Sequence, residues 1–124
     1  TAPLAWAGAR ASVQQGRFSV ERAELDADAT WQDVVAQVEA ALDDVRRDRA
    51  RIDLADATLA AAQAGLAADQ DLYKEGRGSM RDVVRSLEAL EEAQVAGLSA
   101  KIDLQSSLLN LARLQGTVLD GLAP

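Results

Sequence analysis

Few residues in this chain have chemistry to offer. It has 124 residues with no histidine and no cysteine. Imidazole acid–base catalysis, thiolate nucleophiles and disulfides therefore have no residues to use. Carboxylates remain. The adjacent pairs Asp43-Asp44 and Glu91-Glu92 and the near pair Asp69/Asp71 could act as acid and base, or gather round a hard cation. Each sits inside a long helix-patterned stretch with no loop converging on it, so each reads as a solvated helix face. Asp44/Arg47 and the charges around Arg85 read as surface pairs worth a few tenths of a kcal/mol. Gly76-Arg77-Gly78 lacks both the spacing and the preceding strand of a phosphate loop. This inventory points to no catalytic residue, no cofactor and no metal site, and so to a protein that is not an enzyme.

The elements that carry these residues are helices. Ala and Leu dominate, aromatics are 3% of the chain, and β-branched residues are sparse, a composition that favours long helices. Lys and Arg total 13 against 20 Asp and Glu, a net charge of −7. That balance does not suit a nucleic-acid backbone or an anionic lipid surface. No apolar run approaches the roughly 18 residues of a membrane-spanning helix. The chain opens at Thr1 with no initiator methionine and no leader pattern, so it reads as a mature or excised piece. Its length fits one domain.

Residues 1–8, with Pro3 and Gly8, read as an extended lead-in. From residue 9 to residue 75 there is no proline, and a first helix of about 65 residues, ~100 Å long, is expected. From Trp31 the register is regular: Trp31, Val38, Val45, Ile52, Leu59, Leu66 and Tyr73 recur every seven residues, which is coiled-coil spacing. The companion positions are mostly small, but Asp48 and Asp69 interrupt them and weaken a purely two-stranded reading. Trp31 fits the seam as a core residue, and Tyr73 would seal the end beside the turn. A second helix of about 37 residues, ~55 Å, is expected over 80–116, with a tail at 117–124. Its apolar positions are too many for one narrow seam, and a broad stripe suggests more than one neighbour.

Between the helices lies the one turn signal, Lys74-Glu75-Gly76-Arg77-Gly78-Ser79. Gly76 suits the left-handed position after a helix end, and Lys74 complements the helix dipole. Ser79 and Asp82 have capping-box spacing. The expected architecture is all-α: a long antiparallel helical hairpin with unequal arms. If the chain reverses near residue 77, residue i faces roughly residue 155 − i. Residues 9–36 then have no partner within the hairpin, and their exposed apolar side chains need another subunit or another part of a larger protein.

The pattern Tyr73, Gly76, Ser79, Asp82, Val83, Val84 resembles the periplasmic turn of TolC-like outer-membrane efflux proteins. Further stretches are similar to that family in the same order: Pro3-Leu4 with Gly8 and Arg10, Val38-Glu39-Ala40-Ala41-Leu42, the run from Leu87 to Gln94, and Leu111 to Gly116. One departure is Ala5, where the family commonly has an aromatic; Trp6 stands next to it. The likeness spans nearly the whole chain, and its specificity comes from order and spacing.

The resemblance implies a periplasmic segment of a homotrimeric outer-membrane channel: the second-repeat hairpin, part of a larger α-barrel. It implies that the other repeat and the other subunits complete the tunnel. A periplasmic adaptor would dock on the tip, at Gly76, Arg77, Gly78, Ser79, Met80, Asp82 and Val83. No nucleic-acid partner and no membrane insertion by this segment itself are expected. The alternative is a freestanding coiled-coil interaction or scaffold module with no transport role, including an adaptor-type hairpin.

Overall fold

The computed structural model describes residues 2–122. It contains two helices, α1 (Ala2–Lys74) and α2 (Met80–Leu122), and no strand among the described residues. The all-α hairpin expected from the heptads is what forms. Both arms are longer than the sequence suggests, at 73 and 43 residues.

The lead-in expected at 1–8 is helical from Ala2 onward. Pro3 falls in the first turn, where its missing N–H has no intrahelical partner to lose and its fixed φ suits the helix. Gly8 does not interrupt α1: its carbonyl accepts the Ser12 hydroxyl at 3.0 Å, one turn on. At the other end α2 passes through Gly116 and Gly121. Each glycine costs a helix about 1 kcal/mol, too little to end one. Thr117 folds its hydroxyl onto the Arg113 carbonyl at 3.0 Å. The expected tail is therefore helix as far as Leu122, and residues 1, 123 and 124 lie outside the described residues.

The chain divides into two compact units, Thr1–Val38 and Glu39–Pro124, and α1 contributes to both. The second unit is the hairpin. Its seam on α1 includes Ala41, Val45, Asp48, Ile52, Ala55 and Leu59, all buried or half-buried. On α2 the matching seam runs through Val83, Ser86, Leu90, Ala93, Gly97 and Ala100 in unbroken three–four spacing. The most buried positions are small: Ala41, Ala93 and Ala100. Small side chains let the backbones approach, and half-buried leucines flank them.

The first unit holds no buried side chain among its described residues. Trp6, Phe18 and Leu25 are each 68% exposed, and Trp31 is 56% exposed. Trp31 is thus not core in this chain.

Candidate functional site

The hairpin tip is built by two capping motifs back to back. Gly76 has φ of +71°, the left-handed conformation that a Cβ disfavours. Around it the Arg77 N–H donates to the Leu72 carbonyl at 2.9 Å and the Gly76 N–H to the Tyr73 carbonyl at 3.0 Å. This is the paired bonding of a Schellman motif, and it satisfies carbonyls that a helix end would leave open. Gly78 N–H adds a second bond to the Leu72 carbonyl at 3.0 Å.

Gly78 is required for a different reason. A Cβ there would sit 3.1 Å from the Leu72 Cβ and 3.2 Å from the Leu72 carbonyl carbon and the Tyr73 nitrogen. Its bare face is turned inward, onto the end of α1. The closeness it permits is within the chain.

Ser79 and Asp82 then start α2. The Asp82 N–H donates to Ser79 Oγ at 3.2 Å, the Ser79 N–H reaches Asp82 Oδ2 at 3.4 Å, and the Ser79 hydroxyl donates to the same oxygen at 2.7 Å. The Ser79 hydroxyl, then its backbone N–H, hold the Asp82 carboxyl below its ordinary value, with Arg85 and Arg81 adding attraction. An ionised Asp82 also complements the positive end of α2.

The seven tip residues therefore divide. Ser79 and Asp82 are engaged with each other, and Gly78 packs inward. Val83 is only 8% exposed and faces α1, so it is not available to a partner while the hairpin is closed. The reason is register: Val83 starts the α2 seam, and its neighbour Val84 points away. Gly76, Arg77 and Met80 are exposed, and Val84 joins them at 46%. In sequence the Val83-Val84 pair gives no phase until the seam is fixed. Arg77 pairs loosely with Glu75 at 3.5 Å, both side chains mostly exposed.

Away from the tip, five aspartates have partners. Asp43 and Asp44 lie against Arg46 and Arg47 on the exposed face of α1. Asp69 accepts the Ser86 hydroxyl, and Asp48, only 6% exposed, accepts the Ser107 hydroxyl. Arg51 reaches Asp103 at 3.1 Å and Asp48 at 3.7 Å. Both interruptions of the heptad are thus satisfied across the seam. Glu91 and Glu92 stand on the open side of α2.

The sequence profile of the outer membrane efflux proteins matches residues 1–117. The chain belongs to the outer membrane efflux protein family. No curated protein and no solved structure gives a significant match. In this outer membrane efflux protein segment the matched span takes in α1, the tip and most of α2. None of the described helices is long and apolar enough to cross a membrane.

Proposed function

We propose that this segment is periplasmic tunnel wall of a TolC-like, homotrimeric outer-membrane channel, and that its tip docks a periplasmic adaptor. The observation that carries the reading is the second apolar face of α2. Val84, Leu87, Val95, Leu98, Ile102 and Leu109 are all exposed, Leu109 by 70%. α1 covers the other face of α2 and leaves this one bare. A helix in a closed wall needs neighbours on both sides, and a lone hairpin does not. The bare apolar side chains of residues 4–35 also fit a piece that other parts of an assembly cover.

At the tip, Arg77, Met80 and Val84 offer one charge and two apolar contacts around a rigid reversal. Rigid loops with exposed side chains suit recognition, because little order has to be gained on binding. Solute would pass through the assembled tunnel, and no residue of this segment would react with it.

The experiment is drug resistance in cells carrying the full-length protein, with outer-membrane abundance measured in parallel. Arg77→Glu and Met80→Asp together should abolish resistance at unchanged abundance. Leu98→Asp with Ile102→Asp should instead reduce trimer yield. Arg47→Ala should change neither. Normal resistance in the tip variant at normal abundance would remove docking from the tip and leave the hairpin as wall alone.

A further inference from the structure

We propose that the two aspartate–serine pairs choose which face of α2 meets α1. α2 offers two apolar faces. The one that α1 covers is the poorer, carrying Ser86, Ala93, Gly97, Ala100 and Ser107 among its leucines. The bare one carries Val84, Leu87, Val95, Leu98 and Ile102, with Glu88 and Glu91 in the same stripe toward the tip. From Val95 onward, burial of apolar area alone would favour the bare face. What the covered face has, and the bare one lacks, is a hydroxyl opposite each seam aspartate.

The spacing makes the selection sharp. Asp48 and Asp69 are three heptads apart on α1, and Ser86 and Ser107 are three heptads apart on α2. Asp48 bonds Ser107 and Asp69 bonds Ser86. In this register both carboxylates are satisfied together. A slide of one heptad would keep leucine against leucine but bring Asp48 to Ala100 or Leu114. A rotation onto the bare face would set Asp69 against Leu87, Glu88 and Glu91 and Asp48 against Ile102, Ser106 and Leu109, so the two carboxylates would not both find a hydroxyl. A carboxylate buried without a partner is heavily disfavoured, and one polar seam position is known to fix register in coiled coils. Here two act together on the choice of face as well. Arg51 with Asp103 adds a more exposed contact on the same side. The inference concerns only the hairpin's own seam and stands apart from the proposed transport role.

The chain has no cysteine, so introduced pairs report cleanly. Ala55→Cys with Ala100→Cys reads the covered face, and Ala55→Cys with Ile102→Cys reads the bare face. With the aspartates intact, the first pair should form a disulfide and the second should not. With Asp48→Leu and Asp69→Leu, the second disulfide should rise on the order of tenfold, within or between chains, at unchanged helix content. Asp48→Asn with Asp69→Asn keeps an acceptor for each serine and should retain the first disulfide only. Two results overturn the inference. If the leucine variant still forms only the first disulfide, the turn chooses the face. If it loses its helix content, the pairs support the fold and do not select within it.

Discussion

Asp48 and Ser107 are 59 residues apart in sequence and hydrogen-bonded across the hairpin, with Asp48 almost wholly shielded from water. The contact joins the middle of α1 to the far half of α2, well away from the turn.

Ser107→Ala should therefore destabilise the hairpin more than a surface serine would. It leaves a buried carboxylate with only Arg51, at 3.7 Å, to answer it. A loss of about 1–3 kcal/mol is expected in urea denaturation followed by circular dichroism. Arg47→Ala, which breaks the exposed pair with Asp44, should cost less than about 1 kcal/mol. Equal losses would mean that burial of Asp48 has no energetic weight.

The two tip glycines should respond differently to substitution. Gly76→Ala meets no neighbour within 4 Å but must hold φ of +71°, at a cost of about 1 kcal/mol. Gly76→Asn should recover part of that, since Asn tolerates the left-handed region. Gly78→Ala presses on the Leu72 and Tyr73 backbone, which the Schellman bonds hold in place, and no asparagine rescue is expected. Thermal melts of these variants and of Gly78→Asn check this. A melt of Gly78→Asn restored to the native temperature would argue against the steric account.

The capping box gives a pH dependence with a defined sign. Asp82 has its folded-state pKa lowered, first by the Ser79 hydroxyl and then by the Ser79 N–H. Its contribution is complete above the ordinary carboxylate range and is lost as pH falls through the lower folded-state value. Asp82→Asn should flatten that part of the stability profile. Ser79→Ala should weaken it and lower stability by about 1 kcal/mol through loss of the cap. Melting temperature against pH for the three proteins is the measurement. A slope unchanged by Asp82→Asn would assign it to other carboxylates.

The segment alone should self-associate or be cut by protease within residues 9–36. Phe18, Leu25 and Trp31 are all mostly exposed there, and such a stretch of helix gains little from its own hydrogen bonds in water. Sedimentation at micromolar concentration with limited proteolysis tests this. A strict monomer with residues 10–36 fully protected would contradict it.

The hairpin was legible in the sequence because its signals are local or periodic. Gly76, Ser79 and Asp82 each declare a backbone geometry, and Val45, Ile52, Leu59 and Leu66 declare a face. The partners of Asp48 and Asp69 were less legible, since Ser86 and Ser107 look like any solvent-facing serine until the two helices are aligned. Their matching three-heptad spacing is the signal that was available. Helix ends fall outside Pro3, Gly8 and Gly116, because a lone glycine costs a helix only about 1 kcal/mol and proline fits a first turn. The phase of Val83 and Val84 needed the seam itself.

The reversal uses up its own backbone. The amides of Glu75, Gly76, Arg77 and Gly78 all donate to carbonyls of α1, and that of Ser79 to the Asp82 carboxylate. No strand can add to such a loop, and a docking protein would find side chains to read, with few main-chain donors. Residues 77, 80 and 84 could then be exchanged as a set while the scaffold beneath stays folded. The tip would work like a key whose teeth are recut without touching the shank, so a change of partner would call for new side chains and no new fold.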